Sequence, residues 1–112
     1  MVAPSAGAVV VVRFPFSDLT NSKLRPAVVL ADAGKNDWVL CQITSKAYAD
    51  PSAIEIKDAD FASGSLNQTS YARPGKLFTA NEKLIVFQVG LLKKDAFEQI
   101  LNAVITLLRS GL

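Results

Sequence analysis

Four consecutive valines, Val9 to Val12, form the centre of an apolar run from Ala8 to Phe14. β-Branched side chains are stiff and pack well on a pleated surface, so this run reads as a buried strand. Pro15 has no amide hydrogen and ends regular pairing there or confines it to an edge. Two more apolar runs, Ala27 to Ala31 and Trp38 to Thr44, flank the turn signal Gly34-Lys35-Asn36-Asp37, which predicts a hairpin. Further along, Ser52 to Lys57 alternates as a partly exposed strand. Asp58 to Leu66 reads as a turn or short helical loop. Thr69 to Phe78 is β-like but interrupted at Pro74-Gly75, and Leu84 to Leu91 is another apolar strand.

The ending changes period. Phe97, Ile100, Leu101, Val104, Leu107 and Leu108 recur at helical spacing between Lys93 and Arg109. Asp95 and Arg109 suit the helix dipole and Gly111 suits a C-cap, while no capping side chain precedes Lys94. Short strands followed by one helix predict a mainly β fold with a C-terminal α-helix, a small barrel or rolled sheet. A chain of 112 residues fits one domain, with residues 1–6 as a flexible lead. The helix face reads as core packing; part of it, or of the strand Leu84 to Leu91, is a candidate subunit contact.

The chain contains no histidine, which excludes Ser-His-Asp and Cys-His devices and two-histidine zinc motifs. Its one cysteine, Cys41, permits no intrachain disulfide and lies in an apolar run, where it reads as a small buried hydrophobe. Glycine-rich nucleotide motifs are missing. Asp58 and Asp60 are conceivable magnesium ligands, but a turn is the better reading. No segment approaches the roughly 20 apolar residues needed to span a bilayer, and a reducing, cytoplasmic setting fits. The formal net charge is +2, so any basic footprint is local: Arg13, Lys23, Arg25, Lys46, Arg73 and Lys76.

Two segments concentrate the chemistry. Arg25 precedes Pro26, which biases it towards extended geometry at a loop-to-strand junction. Thr44, Ser45 and Lys46 close the third strand. On spacing alone Arg25 reads as a solvated arginine at a strand entrance and Ser45-Lys46 as a plain turn; the hairpin through Gly34 to Asp37 favours the functional reading, because it brings these groups together at its open end, where an arginine fork, hydroxyls and a cation would face one phosphate. Tyr71, Arg73 and Lys76 form a third set, read either as aromatic and basic side chains interleaved as in single-strand RNA binders or, equally well, as a solvated strand face.

Taken in order, Val9 to Asp18 (VVVVRFPFSD), Lys23 to Leu30 (KLRPAVVL), Leu40 to Ser45 (LCQITS), Phe61 to Leu66 (FASGSL), Arg73 to Thr79 (RPGKLFT) and Val89-Gly90 resemble the MazF/PemK family of toxins from type II toxin–antitoxin systems. The resemblance runs from about Gly7 to the final helix. It departs at Ala8, where an acid is usual, at Thr20 to Leu24, which lacks the loop glutamate of many members, and at Lys93, where a capping serine is common.

The resemblance implies an SH3-like barrel of the CcdB/MazF/Kid kind, working as a homodimer. It implies a sequence-specific, metal-independent endoribonuclease that needs no cofactor and cleaves messenger RNA to slow growth. A cognate antitoxin would neutralise it, and the pair would bind DNA. Arg25 and Thr44 would be the catalytic pair. The loop carrying Phe16, Ser17, Asp18, Asn21 and Lys23 would gate and line the RNA path beside Ser45 and Lys46, with Arg73 and Lys76 as further RNA contacts. Asp18 is a candidate base on sequence order alone. Expected products are a 2′,3′-cyclic phosphate and a 5′-hydroxyl. Two other readings stand beside this one: a gyrase-binding toxin on the same barrel, and a non-catalytic SH3-like module that binds RNA or peptide.

Overall fold

A computed structural model of the chain describes residues 3–15, 22–46 and 50–112. Seven strands, β1 (Ala8–Pro15), β2 (Ser22–Gly34), β3 (Asp37–Thr44), β4 (Ile54–Ile56), β5 (Phe61–Gly64), β6 (Ser70–Asn81) and β7 (Ile85–Leu92), precede one helix, α1 (Lys94–Arg109). The strands form one sheet in the order β4-β6-β3-β2-β1-β7-β5, and every pairing is antiparallel.

The valine run is apolar throughout because β1 is covered on both faces. Val9 joins Val28, Cys41, Ile43, Ile56, Phe61, Ala72 and Leu92, with Ile100 and Val104 of α1, in one buried cluster. All seven strands and the helix contribute to it, which requires the sheet to curl around its own interior. Val10 and Val12 join Ala27, Val29, Leu40, Ala80 and Ile85 in a second cluster. Side chains alternate along a strand, so two clusters on opposite faces favour apolar residues from Ala8 to Val12, although Val11 is half-buried and in neither cluster and Arg13 beyond it is exposed.

The hairpin forms where the turn signal placed it. Lys35 and Asn36 have φ of 54° and 66°, and they connect the facing residues Gly34 and Asp37. Positive φ at both central residues is the turn whose twist matches paired strands. Asp32 Oδ1 accepts the Gly34 amide at 2.7 Å and steadies the turn.

Several expected elements are corrected. β2 begins at Ser22, five residues before the expected Ala27, because its early residues pair with the far end of β1 (Phe14 with Lys23, Pro15 with Ser22). β4 is confined to Ile54–Ile56. The segment expected as a loop from Asp58 holds a 3-10 turn, Asp58–Asp60, and then a strand, Phe61–Gly64, on the edge beside β7. Pro74-Gly75 does not interrupt β6, which runs through to Asn81 by bulging. Gly111 does not cap the helix: Ser110 does, its hydroxyl donating to the Leu107 carbonyl at 2.7 Å. Leu107 and Leu108 at the end of α1 are exposed, while Ile100 and Val104 are buried. Pro4 is buried, and the Gly7 amide donates to the Val29 carbonyl at 2.8 Å.

Candidate functional site

The two β2 and β3 segments singled out above meet at the open end of their hairpin. The last paired residues there are Ala27 and Gln42. Continuing that register two residues brings Arg25 level with Thr44. Pro26 has no amide to donate between the strands, so the ladder opens at this point. A cavity of about 400 Å³ lies in the opening.

Arg25, Thr44, Ser45, Lys46 and Arg73 all line this cavity, with Leu24, Pro26 and Gln42 on the same walls. Among the described residues, three that line it are cationic and none is a carboxylate, which favours an anion. Leu66, Gln68 and Ser70 close the far side. Gln42 was not singled out in the sequence, although it and Thr44 are polar residues at alternate positions in LCQIT. Gln68 and Ser70 carried no such signal: Gln68 lies in the β5–β6 connection and Ser70 opens β6, and the curl of the sheet brings both here.

The hydroxyl of Thr44 is already oriented. Its Oγ1 accepts the Lys46 amide at 3.1 Å, which turns the chain at Ser45. A hydroxyl that accepts one bond still has its own hydrogen to donate. Ser45 and Lys46 are exposed at this turn.

Arg73 reaches the cavity from β6. Between the pairs Cys41–Leu77 and Ile43–Ala72, β3 contributes Gln42 alone while β6 contributes Arg73 to Lys76. This bulge turns Arg73 to the cavity and Pro74 and Gly75 towards α1, where a Cβ on Gly75 would sit 3.5 Å from Leu107. Both cavity arginines precede proline, which biases both backbones to extended geometry. The Cys41 thiol donates to the Arg73 carbonyl at 3.1 Å beneath the site. Burial pushes that thiol up to about 11, so Cys41 is packing and not a nucleophile.

The other sequence candidates fall elsewhere. Lys23 is exposed on β2 opposite Phe14, and Lys76 is exposed on the bulge; neither lines this cavity. Tyr71 pairs with Thr44 across β3 and β6 and does not line it either. Phe16, Ser17, Asp18 and Asn21 lie outside the described residues. Asp58 and Asp60 serve the turn: Asp58 accepts from the Ser65 hydroxyl at 2.6 Å and Asp60 from the Lys57 amide at 2.8 Å. Among the described residues, no helix is long and apolar enough to cross a membrane.

Residues 5–108 match the family of PemK-like, MazF-like toxins of type II toxin–antitoxin systems, and the chain belongs to that family. It shares its fold with solved structures at low identity. An endoribonuclease in complex with its cognate antitoxin from a mycobacterial species superposes with a TM-score of 0.74 at 18% identity, covering 100% of this chain and 97% of that one. MazF in a MazE–MazF complex from Deinococcus radiodurans gives 0.75 at 19%, covering 96% and 97%. MazF alone from the same organism gives 0.72 at 19%, covering 100% of both chains. No curated protein sequence matches the chain.

Proposed function

We propose that this toxin is a sequence-specific, metal-independent endoribonuclease that cuts single-stranded messenger RNA at the β2–β3 cavity. The observation that carries the reading is the convergence of Arg25, Thr44, Lys46 and Arg73 on one cavity that, among the described residues, no carboxylate lines. That arrangement suits a polyanion whose charge increases during the reaction.

RNA carries its own nucleophile. A ribose held with its 2′-hydroxyl in line with the adjacent phosphate reacts intramolecularly, and orientation supplies much of the acceleration. The 2′-hydroxyl gives up its proton to solvent as its oxygen attacks phosphorus, the bond to the 5′-oxygen breaks, and the leaving oxygen takes up a proton from solvent. The products are a 2′,3′-cyclic phosphate and a 5′-hydroxyl. Arg25 and the Thr44 hydroxyl donate to the phosphoryl oxygens as charge builds on the five-coordinate centre. A guanidinium remains charged in proteins, so the task of Arg25 is charge stabilisation and not proton abstraction. Leu24 and Leu66 give the cavity apolar surface against which a base face packs.

The relatives support one partner. MazF is crystallised with MazE, and the mycobacterial endoribonuclease with its cognate antitoxin; a cognate antitoxin for this chain follows by family. A second copy of this chain belongs to the same reading, supported by exposed Leu84, Val86 and Phe87 on and beside β7, which offer an apolar surface for it.

The test is a single-stranded RNA in which the 2′-hydroxyl at the mapped cleavage position is replaced by hydrogen. Cutting at that position is expected to disappear while neighbouring sites are unaffected. Continued cutting there would eliminate the mechanism. A gyrase-binding toxin or a non-catalytic module would leave both RNAs intact.

A further inference from the structure

The second arginine of the cavity is held from behind by a carboxylate that does not line the cavity. Arg73 Nε lies 3.5 Å from Asp50 Oδ2, and the two side chains are 20% and 13% exposed. Asp50 is fixed in turn through its other oxygen. Oδ1 accepts the Ser52 amide at 2.9 Å and the Ser52 hydroxyl at 2.7 Å. These bonds, ahead of the charge of Arg73, hold the Asp50 carboxyl below its ordinary range and keep it ionised at neutral pH. The backbone of Arg73 is fixed separately, by the Cys41 thiol and by the buried ring of Pro74.

A largely buried ion pair is weak evidence for stability, because desolvating both charges offsets their attraction. It does set geometry. The charge contact draws the Nε edge of the guanidinium towards Asp50 while the same side chain lines the cavity, and the planar fork it carries is the shape that matches phosphate oxygens. β3 lies between the strands that carry the two arginines. Adjacent strands are about 4.8 Å apart, which puts those backbones about 10 Å from one another. Two cationic anchors at that separation suit successive phosphates of an extended strand better than a single phosphate.

We infer that Asp50 is a positioning residue: acting through Arg73, it sets that guanidinium on the cavity wall to hold the phosphate next to the one being cut. The inference rests on the endoribonuclease reading above. An anchor for a neighbouring phosphate grips substrate and transition state alike, so its loss appears in KM and not in kcat.

The experiment compares the parent, Asp50→Asn, Arg73→Gln and the double variant on one RNA substrate, with melting curves for each. Asp50→Asn is expected to raise KM about 5- to 10-fold with kcat within about 2-fold of the parent. In the Arg73→Gln background the same substitution is expected to change KM by less than about 2-fold, because the residue through which it acts is gone. Ser52→Ala, which loosens Asp50 without removing its charge, is expected to move KM in the same direction by less. It replaces Asp50→Asn in the comparison should that variant fail to fold. A parent-like KM in the single variants, or an equal rise in both backgrounds, overturns the positioning role alone. A parent that cuts no RNA overturns the endoribonuclease reading and this inference with it.

Discussion

Arg25 on β2 and Thr44 on β3 stand level with each other, two residues beyond Ala27 and Gln42, where the hairpin's paired register stops. An unbroken ladder would have closed the gap between their strands. Pro26 prevents that, and the two side chains border a cavity instead. The accepted bond from the Lys46 amide aims the Thr44 hydroxyl. Thr44→Val keeps the shape and β-branching but removes the hydroxyl. It is expected to lower single-turnover cleavage by about 10²- to 10³-fold, the usual loss for one charge-stabilising donor. Thr44→Ser is expected to retain most of the rate. A Thr44→Val protein with parental cleavage would remove the hydroxyl from the mechanism.

Gly64 and Gly90 face each other across β5 and β7. A Cβ on Gly64 would run into the Val89 carbonyl, and Gly64 has a φ of +73°. A Cβ on Gly90 would lie 2.7 Å from the Phe61 ring. Gly90→Ala is therefore expected to destabilise the fold by about 1–3 kcal/mol, the range for overpacking a tight site. Urea denaturation measures it, and an unchanged midpoint would contradict the close approach.

The raised Cys41 thiol has a signed consequence for stability. The folded chain keeps the proton to about pH 11, whereas the unfolded thiol releases it near 9.0. Stability from this group is fully present below about pH 9 and is lost as pH rises towards 11. Melting temperatures from pH 8 to 11 are expected to fall more steeply for the parent than for Cys41→Ala. Parallel curves would contradict the burial of the thiol. For the same reason, alkylation of Cys41 at neutral pH is expected to require unfolding.

Asp50 gives the opposite sign. Its carboxyl is held low in the fold, first by the Ser52 hydroxyl and amide and then by Arg73. Its contribution is present above the ordinary carboxylate value of about 4 and disappears as pH falls through the lowered folded value. The stability difference between parent and Asp50→Asn is expected to be constant from pH 5 to 7 and to shrink at more acid pH, a trend that chemical denaturation at fixed pH follows. A difference independent of pH would contradict the shift.

The hairpin, the valine strand and the helix were legible in the sequence because each is decided locally, by turn residues, β-branching or period. β5 was not. Phe61 to Gly64 has no strand pattern of its own, and its pairing depends on Gly90, far along the chain. β6 was read as interrupted at Pro74-Gly75 because a bulge and a break carry the same local signal; only the register against β3 separates them. At the cavity, Arg25 and Thr44 followed from counting back along the hairpin. Gln68 and Ser70 did not, because their approach depends on the curl of the sheet, and the Asp50–Arg73 pair joins two elements that no local pattern links.

The central claim is that the Arg25 guanidinium stabilises the charge formed when RNA is cut. The most direct measurement is the cleavage rate of one RNA by the parent and by Arg25→Ala at matched concentration, with melting curves for both. The expected result is a loss of about 10²-fold or more with the fold retained. Cleavage by Arg25→Ala at the parental rate would contradict the account.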